Sequence, residues 1–598
     1  MNIQQRTVGL YSPAMWLMAL AVGIAGPCYG QATTNPDVNK PVPVAVKPEV
    51  GKAEPGWWND AVFYQVFVRS FADSTEGPLA DDGIGDIRGL ISKLDYLNDG
   101  DPATTTDLGI TAIWMMPITS SPSYHGYDTT DYRTVEKSYG TNEDFKELMV
   151  QCKKRGIRVV IDLVLNHCSN RHPFFIDATN PKSPKRDWFI WQDRDPGYRG
   201  PWGQQVWHRV RSLDPAGTKD EALGPDGRPK SESGPLYYGI FSGEMPDFNF
   251  RNPAVTAEMI DMCRYWLNDV GIDGFRLDAI RHLIEDGKQQ DNTPETHEWL
   301  KQFRTAIKAV KKDAFNVGEV WAPTETTSTY ITDQLDNCFE FDLALAILGG
   351  VNTGEAAKLA AQIRKSWEWH PTNQFSTFLA NHDQARSMTT LGKDENKAKL
   401  AAGILLTLPG VPFIYYGEEI GMVGDKPDPK IRTPMQWSEE QGGGFTTGKP
   451  WQALNPDFRR VNVARQASQP KSLWSTYRSL IALRNSNAAI RHGGLEMLSS
   501  NHPSVLAYIR MPAYGEEKSS EPVMVVVNLG SEAVTKYSLS GSGLKLGEGK
   551  LGGEDLLGTT PIQAMTLTSS GGLADVTPVA ALKPRSVVVF KLVPAKGK

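Results

Sequence analysis

Cysteine is scarce in this sequence, with five in 598 residues. One of them, Cys28, sits in an apolar N-terminal stretch. The other four, Cys152, Cys168, Cys263 and Cys338, are spaced too widely for any zinc pattern. That excludes a zinc-organised fold; a disulfide is permitted if the chain is exported, and most of the four thiols are expected to be buried and free. An excess of charge of one sign is also missing: 63 basic residues stand against 69 acidic ones, a net charge of −6. Nucleic acid and anionic membrane both select a basic face, so neither is expected as a partner. Long hydrophobic runs are absent beyond the N-terminus. A span needs roughly 18 or more consecutive apolar residues, and the mature chain offers none. No fixed-period repeat is present.

The N-terminus carries Arg6, an apolar run from Met15 to Ile24, and a small-residue site at Gly30-Gln31-Ala32. This is the pattern of a cleaved signal peptide over residues 1–32, with a secreted or periplasmic product. Residues 33–56, rich in Pro, Lys and Val, are expected to be a flexible linker.

From Trp57 onward, short apolar runs alternate with longer helical segments. The runs are Val62–Val68, Ala112–Met116, Val159–Leu165, Gly274–Leu277, Asn316–Gly318, Phe339–Phe341, Phe375–Leu379 and Val411–Tyr416. Near-continuous apolar runs fit strands buried on both faces of a parallel sheet. Eight strand–helix units predict an α/β protein built on a (β/α)8 TIM barrel. The stretch 168–247, rich in Pro, Gly, Asp and Trp, is too long for one connection. It is expected to be a small domain inserted after strand three. The barrel then occupies 57–167 and 248–484. Residues 485–598, where β-rich runs alternate with Gly/Ser turns, are expected to form a C-terminal antiparallel β-sandwich.

Catalytic groups of such barrels lie just past the C-terminal ends of the strands. The third run leads through Asp162 to Asn166 and His167. The fourth gives Arg276, Asp278 and His282. The fifth gives Glu319, and the seventh His382 and Asp383. Three carboxylates, Asp278, Glu319 and Asp383, are thus brought to one face. Arg276 and Asp278 are two apart on a strand, so both side chains point the same way. A guanidinium there favours the ionised, oriented aspartate.

These four segments resemble the signature regions of glycoside hydrolase family 13, the α-amylase family. Three further stretches agree: Met245-Pro246-Asp247-Phe248-Asn249, His125-Gly126-Tyr127-Asp128, and the run Gly410 to Gly421. The likeness covers about residues 57–598. It implies a retaining hydrolase with Asp278 as nucleophile, Glu319 as general acid/base and Asp383 as the third acid. It also implies that Tyr127, His167, Arg276 and His382 line the sugar that is attacked. Retention requires the two reacting carboxyl groups to lie about 5–5.5 Å apart. Glu319 must stay protonated, so burial and neighbouring carboxylates should raise its pKa.

The resemblance further implies two calcium sites. Asp73, Asp82, Ile84 and Asp86 match an oxygen-rich loop after the first strand, although nine positions separate Asp73 from Asp82 where the family has four. Asn166, Asp247 and the backbone of His282 match a site between barrel and inserted domain. Met245 to Asn249, the stretch Asn98 to Leu108, and Ala279 after the nucleophile resemble α-1,4-acting members of the intermediate group between oligo-1,6-glucosidases and neopullulanases. Against that, Asp128 and Arg432 resemble a pair that closes the glucose pocket of exo-acting relatives. The expected activity is a monomeric α-amylase acting on starch-like glucans or maltooligosaccharides. An exo-α-glucosidase, or a maltose transglycosylase or isomerase, is the alternative. A non-catalytic glucan-binding protein is the reading from another class.

Overall fold

The computed structural model describes residues 56–210, 234–512 and 521–595. The expected signal peptide and, but for Gly56, the expected linker lie outside the described residues.

Among the described residues, eight short strands form the barrel: β1 (Phe63–Val66), β2 (Ala112–Met115), β3 (Arg158–Leu163), β4 (Gly274–Leu277), β5 (Phe315–Gly318), β6 (Asn337–Cys338), β7 (Ser376–Thr377) and β8 (Val411–Tyr415). All neighbours pair in parallel, in the order β6-β5-β4-β3-β2-β1-β8-β7. A bridge between Phe339 and Ser376 joins the two ends and closes the ring. The strands are buried on both faces, because helices such as Asn142–Lys154 cover the outside with apolar stripes (Phe145, Leu148, Cys152).

The axis of the barrel is a packed core. Phe63, Trp114, Val160, Phe315, Val317, Phe339 and Phe413 form one apolar cluster, sealed at the N-terminal end by Trp58. Each such ring contributes about 1.5–3 kcal/mol by leaving water. Gly274 belongs to this layer for a steric reason: a Cβ there would sit 2.0 Å from the carbonyl oxygen of Phe315. Two residues further along the same faces, Val160 gives way to Asp162 and Gly274 to Arg276, and Asp162 and Arg276 are register partners. The interior therefore changes from apolar to charged at the C-terminal rim.

One expected strand is displaced. The sixth strand is Asn337–Cys338, and Phe341 instead begins the helix Phe341–Thr353. Phe339 and Phe341 are both buried in the axial cluster, so their alternation imitates a strand while serving a strand end and a helix start.

After β3 the chain leaves the barrel at His167 and returns at Asp247, where the two residues form a bridge. The inserted segment holds a three-stranded antiparallel sheet (Trp191–Gln192, Leu236–Tyr238, Trp207–Arg209) over its own small core. The C-terminal strands are β9 (Gly494–Ser500), β10 (Val505–Met511), β11 (Val523–Asn528), β12 (Leu539–Gly541), β13 (Lys550–Asp555), β14 (Met565–Thr566), β15 (Leu573–Val576) and β16 (Ser586–Pro594). They pair antiparallel around a separate apolar core, and a Leu567–Leu573 bridge brings the two ends of the sheet together. Cys152, Cys168, Cys263 and Cys338 are buried free thiols. No described helix is long and apolar enough to cross a membrane.

Candidate active site

Arg276, 1% exposed, is the hub of the rim. Its Nη1 donates to Asp162 Oδ1 at 2.9 Å and to Asp278 Oδ1 at 2.6 Å, and its Nη2 lies 2.8 Å from Glu319 Oε2. The guanidinium also lies over the Trp114 ring, 5.1 Å from its centroid. The backbone holds the acids in place: Asp278 N–H donates to the carbonyl of Leu163, and Glu319 N–H to that of Leu277. Ala279, immediately after Asp278, has φ +49° and turns its N–H onto Glu319 Oε2 at 3.1 Å.

One guanidinium faces three buried carboxylates, and that sets the protonation. Burial pushes Asp278 up to about 7; Arg276 opposes this and Asp162 reinforces it. Burial likewise raises Glu319 to about 7 against Arg276, with Asp278 and Asp383 adding to the rise. Asp162 rises to about 6, again chiefly through burial. Arg276 favours the ionised form of Asp278, but its charge is shared among three carboxylates and burial opposes it.

The opposite wall belongs to Asp383. Burial would raise its pKa, but the guanidinium charges of Arg432 and Arg276 oppose this and favour the ionised carboxylate. Burial keeps His382 neutral, so the persistent charges are those of the arginines. Arg432 Nη2 reaches Asp383 Oδ1 at 2.9 Å, and Arg432 Nε donates to the carbonyl of His382. Gln65 Nε2 lies 2.8 Å from His382 Nδ1. With that amide donating, the ring proton sits on Nε2, which is 3.1 Å from Asp383 Oδ2. Tyr127 Oη lies 2.5 Å from His382 Nε2 and donates to Asp162 Oδ2 at 3.1 Å. The Tyr127 ring is parallel to that of His382, at 5.5 Å. His167, also neutral through burial, lies 3.1 Å from the carbonyl of Tyr127.

The structure thus brings Asp278, Glu319, Asp383, Tyr127, His167, Arg276, His382 and Arg432 together. It does not pair Asp128 with Arg432. Asp128 Oδ1 accepts from Ser121 Oγ at 2.6 Å and from Ser123 Oγ, while Arg432 is taken by Asp383 and Asp428. Beside Arg432 lies the ring of Tyr124, stacked on Trp451 at 5.5 Å. Sequence reasoning missed Asp162, Gln65 and Tyr124 as parts of the site. Strand parity could have found Asp162, since it shares register and inward face with Arg276.

The two loops of candidate cation ligands differ. Asn166 Oδ1 and Asp247 Oδ2 are buried without a hydrogen-bond partner, and both residues lie at the seam of barrel and insert. Paired orphan oxygens of this kind fit a hard cation. In the first loop, Asp86 spends both oxygens on Gly89 N and on Ser74. Asp82 closes a local turn onto Ile84 N. Asp73 Oδ2 accepts from Gly83 N and Thr446 Oγ1, which leaves Oδ1 buried and unpartnered. No cluster of three His, Cys, Asp or Glu able to hold a metal occurs among the described residues. The seam fits a cation better than the first loop does.

The acid cluster thus sits on the C-terminal rim of a barrel with one inserted domain and an appended β domain. The α-amylase catalytic-domain family matches residues 65–493, and the chain belongs to that family of glycoside hydrolases. It is 36% identical to α-amylase 3 of Dictyoglomus thermophilum, over 80% of this chain and 86% of the relative. It is 33% identical to the glucan 1,6-α-glucosidase of Streptococcus pneumoniae, over 80% and 92%. Among solved structures, the α-amylase from H. orenii superposes with a TM-score of 0.72 at 34% identity, covering 89% of this chain and 99% of the other.

Proposed function

We propose that the chain is an exported, retaining α-amylase-type hydrolase cleaving α-1,4-glucosidic bonds in starch-like glucans or maltooligosaccharides. The observation that carries this reading is one guanidinium touching both Asp278 and Glu319, which keeps the two carboxyl groups close, as double displacement requires. In the first step, Asp278 attacks the anomeric carbon. A carboxylate–sugar bond forms and the glycosidic C–O bond breaks, while Glu319 passes its proton to the leaving oxygen. In the second step, Glu319 takes a proton from water, which displaces Asp278. Asp383, ionised and aligned by Arg432, accepts hydrogen bonds from the hydroxyls of the distorted sugar. Tyr127 supplies the platform beneath that ring. A calcium ion held by Asn166, Asp247 and the carbonyl of His282 would tie the insert to the barrel.

Endo action is supported by the separation of Asp128 from Arg432, because the pair that would close the pocket is not formed. The relatives that favour exo action or transfer are those named glucosidases and trehalose synthase. A chromogenic maltoheptaoside with its non-reducing end free or blocked separates the readings. Equal cleavage of both supports an open groove. Cleavage of the free-ended form alone replaces it by an exo-acting enzyme, and no cleavage of either by a folded sample sinks the hydrolase reading. Export is tested by N-terminal sequencing of the mature protein, which should begin at Thr33.

A further inference from the structure

Among the described residues, large exposed tryptophan surface is confined to Trp202 and Trp321. Trp321 lies two residues after Glu319 and stacks on Phe341. Trp202, 53% exposed, is on the inserted domain, with no role in the site described above. Leaving an indole in water forfeits the apolar burial that makes tryptophan useful, so its presentation has to be explained.

A tight turn holds it out. Gly200 N–H donates to the carbonyl of Gln204, Gly203 N–H to that of Gly200, and Trp202 N–H to Gln204 Oε1 at 3.0 Å. Gln204 Nε2 is itself anchored on the carbonyl of Ile240. The segment is also tied to the loop after β4, where Gln290 Nε2 donates to the carbonyl of Arg199 and the carbonyl of Gln290 meets His282 Nδ1. The indole stacks on Phe241 at 5.7 Å, and Phe241 packs edge-on against His167 at 5.2 Å. Trp202 also meets His282, four residues past Asp278, at 5.5 Å. A continuous row of rings therefore runs from His167 in the site out to an open indole face.

The row lies on the β3–β4 side, whereas Asp383 and Arg432 occupy the β7–β8 side. We propose that Trp202 is a sugar-stacking platform for the substrate chain on the leaving-group side, beyond the sugar that Glu319 protonates. The apolar C–H face of a glucose unit would lie on the exposed indole, giving the inserted domain a part in selecting long chains over short ones. This inference rests on the α-glucan reading of the site.

The test compares initial rates on maltotriose and maltoheptaose for the wild type, Trp202→Ala and Trp202→Phe. Loss of the indole should lower the ratio of kcat/KM on maltoheptaose to that on maltotriose by about tenfold, the weight of one aromatic contact. The change should be carried by KM, and Trp202→Phe should restore most of it. An unchanged ratio, whether both rates fall together or neither falls, overturns the proposal. If the wild type turns over neither substrate, the hydrolase reading fails, and this inference is judged by binding instead. Maltoheptaose quenching of tryptophan fluorescence in Glu319→Gln supports it if lost with Trp202→Ala, and overturns it if retained.

Discussion

Arg276 donates to Asp278 Oδ1 at 2.6 Å through one nitrogen and reaches Glu319 Oε2 at 2.8 Å through another. A single planar group thereby fixes the relative placement of the two acids, while a third bond holds it on Asp162. Lysine cannot reproduce this fork, since its ammonium is one point charge on a flexible stem.

Arg276→Lys should therefore fold and still lose about a hundredfold or more in kcat, the usual scale for removing a preorganised electrostatic contact. Arg276→Ala should also lose stability, about 3–5 kcal/mol, because it strands buried carboxylates without a counter-charge. Chemical denaturation beside steady-state rates separates the two effects. A fully active lysine variant would mean that the fork is dispensable.

The pH dependence follows from the shared charge. In the proposed double displacement, turnover needs one proton on the Asp278–Glu319 pair, with both groups displaced to about 7. The alkaline limb of kcat/KM should fall near neutrality, as a property of the pair rather than of one residue. Stability gives the sign independently. Glu319 has a folded pKa above its unfolded value, so the folded state is penalised increasingly from about pH 4 through 7 and constantly above. Glu319→Gln removes the penalty. Its stability advantage over the wild type should be small near pH 4 and grow to the order of 3 kcal/mol by pH 8. An advantage independent of pH would show that Glu319 is not so shifted.

Much of this was legible in the chain and some was not, for identifiable reasons. Strands such as β3 and β8 announce themselves because parallel strands covered on both faces must be apolar throughout. Asp278 and Glu319 announce themselves as acids placed just past such runs. β6 was misplaced because Phe339 and Phe341 are buried for two different reasons that produce one alternating pattern. The fate of Asp128 was hidden because local hydroxyls, Ser121 and Ser123, compete for its carboxylate. Charge and motif position identify an acid and a base, but not which neighbour each will take.

Ala279 is held at φ +49°, which costs an L-residue about 1–2 kcal/mol per position. The conformation aims its N–H at Glu319. A β-branched side chain tolerates this backbone worst. Ala279→Val should lower Tm and, by turning the N–H away, reduce kcat more than it raises KM. Ala279→Gly should keep Tm close to that of the wild type. Equal Tm and kcat for all three proteins would show that the strained turn carries no catalytic weight.

The orphan oxygens at Asn166 and Asp247 make the last prediction. Two buried, unpartnered oxygens at one seam are costly unless a cation satisfies them. A ligand that binds only the folded chain stabilises it by about 2.7 kcal/mol at a hundred times its dissociation constant. Adding calcium to chelator-stripped protein should thus raise Tm by several degrees, on the order of 2–4 °C per kcal/mol at this size or smaller. Asp247→Asn, which keeps the shape and removes the charge, should abolish that response. Asp82→Ala should leave it in place, because Asp82 is engaged in its own turn at the surface. If Asp82→Ala removes the response and Asp247→Asn does not, the ion belongs in the loop after β1, and the seam oxygens are satisfied by water.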